Sequence, residues 1–104
     1  MLRWKQSSDL LTVYLRGEID HCAAEKMRME MESLIKKTKD RPMVLDFSEV
    51  TFVDSSGIAV VINAMRCMTQ IEGKLLLTGL ASQPMRVFRA SGIDKLVEIK
   101  EAVV

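Results

Sequence analysis

The hydrophobic period of this chain switches back and forth between the two-residue repeat of a strand and the 3.6-residue repeat of a helix, and that switching restricts the possible folds more than any single motif. "LTVYLR" alternates strictly, with Leu11, Val13 and Leu15 on one side and Thr12, Tyr14 and Arg16 on the other, as a half-covered strand requires. "LRWKQ", set off from it by the turn-prone "SSD", pairs with it as a hairpin. From Ala23 the repeat becomes helical. Ala23, Met27, Met31, Leu34 and Ile35 form one stripe, while Lys26, Arg28, Glu30, Glu32, Lys36 and Lys37 take much of the remaining surface. This helix is expected to end by Asp40, ahead of Pro42. "MVLDF" follows as a short buried strand, and a second helical stripe at Ile58, Val61, Ile62, Met65 and Met68 begins at Ser55 or Ser56 and ends near Gly73. "KLLLTG" is a strand again. In "SQPMRVFRASG", Ser82 is a candidate cap, Pro84 lies just inside the helix start and Gly92 follows its last turn. "LVEIK" closes the pattern as a strand, and "EAVV" is too short to assign.

The predicted order is therefore β-β-α-β-α-β-α-β. Parallel strands need crossover connections, so the class is α/β, with helices set against a largely parallel or mixed sheet. "MVLDF" and "KLLL" suit central strands, whereas the alternating "LTVYLR" suits a position nearer an edge. With 104 residues, no internal repeat and its two prolines at element boundaries, the chain reads as a single domain, residues 1–104, built on one core. Its 15 basic and 14 acidic residues balance to +1, which supplies no electrostatic reason to expect nucleic acid or an anionic membrane as a partner. The longest nearly uncharged stretch starts at Val53 and stops at Arg66, and it is too short and too polar to span a bilayer. Cys22 and Cys67 stand far apart with no C-x-x-C. With eight methionines and no signal-like start, they are expected to be free thiols in the core of a cytoplasmic protein.

Chemistry concentrates at "VDSSG", where an apolar run breaks into an acid, two hydroxyls and a glycine. A helix that begins at Ser55 or Ser56 presents unpaired N–H groups and the positive end of its dipole there, so Asp54, Ser55 or Ser56 can cap it. One cap is enough, and the second hydroxyl is either redundant or a site. A serine at such a loop tip is within reach of a kinase. A second polar junction, "RGEIDHC", also follows a strand and precedes a helix. If the two strands lie side by side and parallel, Asp20 and Asp54 come to the same rim, where ligands and partners of α/β sheets dock. Two loop carboxylates are a weak basis for a metal or acid/base site, and solvated acids are the plainer reading. No metal or cofactor is expected. His21 has no companion ligand for zinc, and the Ser55–His21–Asp arrangement of a hydrolase lacks its G-x-S-x-G turn, so the chain is not read as an enzyme.

The run "VLDFSEVTFVDSSGIAVV", with "RGEID" upstream and "VFRASGIDKLVEI" downstream, resembles the STAS family, specifically the bacterial anti-sigma factor antagonists. The resemblance spans nearly the whole chain. It implies a four- to five-stranded mixed sheet with helices packed mainly on one face. It further implies phosphorylation at the first serine of the D-S-S-G motif, here Ser55, with Ser56 after it and Asp20 beside it. Partner binding is then expected to involve Asp20, His21, Asp54, Ser55, Ser56, Gly57 and Ile58. The implied partner is an anti-sigma factor that is also a serine kinase of the histidine-kinase-like ATPase fold. It would bind the unmodified domain and free its sigma factor. Phosphorylation would end binding, and a PP2C-type phosphatase would restore it. No catalytic residue is required of this chain, because the kinase brings its own base, nucleotide and metal. The alternative is a constitutive STAS scaffold in which Ser55 stays unmodified.

Overall fold

The structure, a computed structural model, describes residues 2–37 and 41–100. Its elements in chain order are β1 (Arg3–Gln6), β2 (Leu11–Ile19), α1 (His21–Lys37), β3 (Met43–Val53), α2 (Ser55–Gln70), β4 (Leu75–Thr78), α3 (Ser82–Ser91), α4 (Ile93–Leu96) and β5 (Glu98–Lys100). The strands lie in the sheet in the order in which they occur along the chain. β1 is antiparallel to β2 and every later pairing is parallel, so the sheet is mixed, as expected of an α/β chain that opens with a hairpin. Ser7 closes that hairpin: its N–H donates to the Leu10 carbonyl at 2.9 Å, and its Oγ accepts from the N–H groups of Asp9 and Leu10 at 3.3 and 3.1 Å.

Both long strands run past the sequence expectation. β2 continues beyond "LTVYLR" to Ile19 and β3 continues beyond "MVLDF" to Val53. β3 has 11 residues against 9 in β2, and two register shifts, between Tyr14 and Arg16 and between Gly17 and Glu18, take up the difference. Each bulge breaks the two-residue repeat. After Phe47 the buried positions are Val50 and Val53, so "SEVTFV" carries no alternation to read.

The core lies between the sheet and the helices. Leu11, Val13, Leu15 and Ile19 of β2 and Met43, Leu45, Phe47, Val50 and Val53 of β3 are buried, together with Leu75 and Leu77 of β4. Thr12, Tyr14, Val44, Asp46, Leu76 and Thr78 line the opposite, open face of the sheet. α1 buries Met31, Leu34 and Ile35 as expected, but Ala24 takes the place expected of Ala23. α2 buries Gly57, Val60, Val61, Ala64 and Met68, with Ile58, Ile62 and Met65 packed half-buried at the margins. The stripe is turned relative to the expected one because close approach of a helix to a sheet selects small residues along the line of contact and larger ones beside it.

α3 packs its Phe88 against Phe47, with ring centroids 5.5 Å apart and planes at 83°, an edge-to-face pair worth about 0.5–1.5 kcal/mol beyond burial. Its start departs from the sequence reading. Ser82 is the first helical residue rather than the cap, and Ala81 before it supplies no side-chain bond. Its end follows the reading: Gly92 adopts φ 83° and donates to the Arg89 carbonyl at 3.2 Å. The short α4 has no counterpart in the sequence pattern. It takes Leu96 away from "LVEIK" and leaves Glu98–Lys100 as the strand, with Ile93 buried and the Val97 N–H bonded to the Ile93 carbonyl at 2.9 Å. The expected helix end at Asp40 and the segment "EAVV" lie outside the described residues. Both cysteines are free, but Cys22 is exposed at the start of α1 and Cys67 is half-buried, so neither is the fully buried thiol expected. Cys22 falls on the outer side of the first turn, away from the stripe that Ala24 begins.

Candidate functional site

Parallel pairing of β2 with β3 brings two strand ends together. Ile19 pairs with Val53 as the last rung, and the Asp54 N–H donates to the Ile19 carbonyl at 3.3 Å. Asp20 and Asp54 therefore leave the sheet at the same rim, as the adjacent parallel arrangement required.

Each acid caps the helix that follows it. The Asp20 Oδ1 accepts from the Ala23 N–H at 2.9 Å, and the Asp20 carbonyl accepts from the Ala24 N–H at 2.9 Å. The Asp54 Oδ1 accepts from the Ser56 N–H at 2.7 Å, and its carbonyl accepts from the Gly57 N–H at 3.0 Å. Of the three candidates for the α2 cap, Asp54 holds the position. A cap of this kind stabilises a helix by about 1 kcal/mol. The two acids are thus engaged in main-chain bonds rather than being merely solvated. Among the described residues no cluster of three metal-ligating side chains occurs.

With Asp54 occupied as the cap, the serines are released from that duty. Ser55 is exposed at the first helical position, and its hydroxyl makes no hydrogen bond among the described residues. Ser56 is half-buried and faces sideways into a groove of about 360 Å³ between α1 and α2, lined also by His21, Ala24, Glu25, Ala59 and Val60. His21 is exposed at the first position of α1 and makes no hydrogen bond to Ser55 or Ser56. A hydrolase relay through His21 has no geometric support among the described residues.

Gly57 is buried at the third helical position. A Cβ built there would overlap the Val53 Cγ1 and lie 3.4 Å from the Ile19 Cγ2. Val53 is a buried β-branched residue with little freedom to move aside, so only glycine lets α2 turn this tightly off β3. Ile58 follows, half-buried and packed against the core. The rim thus joins Asp20, His21, Asp54, Ser55 and Ser56, with Gly57 and Ile58 beneath as support.

Gln83, which carries no motif, also reaches this rim. Its Oε1 accepts from the Val53 N–H at 2.9 Å and its Nε2 donates to the Val53 carbonyl at 2.8 Å. Nothing in "SQPMRV" signals this contact, because it depends on α3 crossing the end of β3.

Comparison with known proteins places this arrangement. The STAS domain family model matches residues 2–104. The anti-sigma-B factor antagonist of Listeria monocytogenes is 29% identical over 97 residues, covering 92% of this chain and 83% of that protein. The anti-sigma F factor antagonist of Paenibacillus polymyxa is 29% identical over 90 residues, covering 86% and 77%. Among solved structures, the anti-sigma factor antagonist SpoIIAA in its unphosphorylated form superposes with a TM-score of 0.84 at 24% identity, over 99% of this chain and 89% of that one. The phosphorylated form of the Bacillus cell fate determinant SpoIIAA gives 0.76 at 24% identity, over 99% and 92%. A five-stranded mixed sheet, its strand-to-helix rim and a match over nearly the full length converge on one assignment: the chain belongs to the STAS domain family.

Proposed function

We propose that this chain acts as a single STAS domain that antagonises an anti-sigma factor, and that phosphorylation of Ser55 switches the interaction off. The observation that carries the proposal is the division of labour at the α2 start. Asp54 caps the helix, Gly57 permits its approach to the sheet, and Ser55 is left exposed with a hydroxyl bound to nothing among the described residues. A phosphate there would sit on the positive end of the helix dipole, which accommodates added negative charge without unfolding α2. The half-buried Ser56 is the poorer acceptor. The names of the two relatives support the choice of an anti-sigma factor as partner.

The α1–α2 groove beside Ser56, with His21 on its edge, is the docking surface in this reading. The partner is a serine kinase that contributes all the chemistry of transfer, and a PP2C-type phosphatase reverses it, so the chain itself is substrate and ligand rather than enzyme. It works in the cytoplasm, where these partners and a sigma factor meet. No helix among the described residues is long and apolar enough to cross a membrane.

The test is a pull-down from cells of the source organism with wild-type and Ser55→Ala protein, followed by incubation of the recovered partner with ATP. The expected result is one phosphate per chain on Ser55, loss of binding by the wild type and retention by Ser55→Ala. A phosphate mapped to Ser56 overturns the assignment to Ser55, and no phosphate at all overturns the switch and leaves the constitutive scaffold. A serine-directed fluorophosphonate should leave the protein unlabelled, since labelling would mean a catalytic serine.

A further inference from the structure

β4 ends at Thr78, opposite Asp46, so the later residues of β3 have no strand beside them on that side. α3 covers this edge, and Gln83 supplies what a strand would have supplied. Its amide exchanges one donor and one acceptor with the Val53 backbone, at 2.9 and 2.8 Å, reproducing in a single side chain the paired bonds of an antiparallel ladder. Val53 is fully buried, and without Gln83 its N–H and carbonyl would be left unsatisfied. The same Val53–Asp54 peptide is held from the other side as well, where the Asp54 N–H donates to the Ile19 carbonyl. The Val53–Asp54 peptide unit that leads into Ser55 is thus pinned on both edges, its carbonyl to α3 and its N–H to β2, and the unit before it is held to α3 through the Val53 N–H.

We infer that Gln83 is a positioning residue for the acceptor serine: by fixing the Val53 peptide it sets the direction in which Asp54 and Ser55 leave the sheet, so phosphoryl transfer to Ser55 depends on an amide carried by α3. This inference rests on Ser55 being the acceptor. A second feature fits it independently. α3 has no side-chain cap at its own start, so the Gln83 bonds also fix where that helix begins, and the coupling runs in both directions. Displacement of α3 would be felt at Ser55, and a phosphate on Ser55 would be felt at Gln83.

The decisive variant is Gln83→Met, which keeps the length of the side chain and removes both hydrogen bonds. Amide exchange at Val53 should accelerate at least about tenfold, while Leu45 in the same strand keeps its protection. With the kinase recovered in the pull-down, kcat for phosphorylation should fall about tenfold with KM within about twofold of wild type, because the α1–α2 groove is untouched and only the alignment of the hydroxyl is lost. Unchanged exchange at Val53, or accelerated exchange with an unchanged kcat, overturns the inference. If Gln83→Met fails to fold, the wild type decides: phosphorylation of Ser55 must shift the Gln83 side-chain amide resonances, and their constancy would refute the coupling. Normal phosphorylation of wild type and variant alike removes only the role of Gln83. Absence of phosphate on Ser55 in the wild type removes the acceptor reading as well.

Discussion

The turns from β2 into α1 and from β3 into α2 lie side by side and follow the same plan, yet only one of them presents an exposed serine. Position for position, Asp20 matches Asp54 as cap, His21 matches Ser55, Cys22 matches Ser56 and Ala23 matches Gly57. Both caps bond a main-chain N–H within the first turn, so the capping acid does not distinguish them. Two other features do. The third helical residue is half-buried with a side chain in the first turn, and buried without one in the second. The strand residue before the cap is clamped by Gln83 in the second turn, whereas among the described residues no side chain bonds the backbone of Ile19 in the first. The second turn is held from beneath and from the side, with a small hydroxyl left free on top.

The largest effect should come from the buried glycine. Gly57→Val forces branched carbons into Val53, and it should lower stability by more than about 3 kcal/mol or abolish folding, since overpacking of one or two methyl groups already costs about 1–3 kcal/mol. The reciprocal change at the other turn, Ala23→Gly, should cost only about 1 kcal/mol, the helix-propensity difference. Urea midpoints of the two variants decide the matter; similar losses would mean that the turns are not built differently after all.

Next comes the proposed phosphate on Ser55, which should weaken binding by about 2–3 kcal/mol, or roughly thirty- to a hundredfold in Kd. It adds about −1.5 to −2 charges at pH 7, and the helix end, equivalent to about half a charge, offsets only part of them. Against one acidic group of the partner ~6 Å away at an effective dielectric of ~20, each added charge costs about 3 kcal/mol before salt screening. Titration calorimetry of the two forms measures the difference. Acidifying toward the second phosphate pKa of about 6 lowers the charge and should restore part of the binding. Amide shifts between the forms should stay near Asp20, Gln83 and the segment from Val53 to Val61. Widespread shifts across β4 and β5 would mean that the switch works by refolding and not by local charge.

A smaller effect tests the shared part of the plan. Asp20→Ala and Asp54→Ala should each lower stability by about 1 kcal/mol, the usual worth of a cap, with thermal unfolding midpoints close to one another. A gap of more than about 1 kcal/mol between the two variants would show that one acid has duties beyond its main-chain bond. Smallest of all is Ser55→Ala, which removes an exposed hydroxyl without a partner and should change stability by less than about 0.5 kcal/mol while preventing release from the anti-sigma factor. Normal folding with loss of binding would make the hydroxyl itself an essential contact.

Local information in the sequence was enough to determine the class of the fold, the order of its principal elements and the place of the rim. The alternation in "LTVYLR", the helical stripes and the glycine after "FRAS" are signals between residues a few positions apart, and such signals survive in a single chain without reference to the rest of the molecule. The three residues of "DSS" likewise mark a helix start by their own chemistry. Tertiary structure alone decided how far the strands run, which of three residues caps α2, and what clamps the turn before Ser55. The two bulges lengthen β3 against β2 and erase its alternation, so residues 48–53 look irregular until the parallel partner is in place. The choice of Asp54 as cap leaves Ser55 exposed and Ser56 in the groove, a division that depends on α1 lying beside α2. Gly57 is indispensable only because Val53 lies beneath it, and Gln83 matters only because α3 crosses an unpaired stretch of strand edge. Each of these is a contact between distant segments, whose energy comes from burial and from satisfying main-chain groups that no neighbour in the sequence can reach.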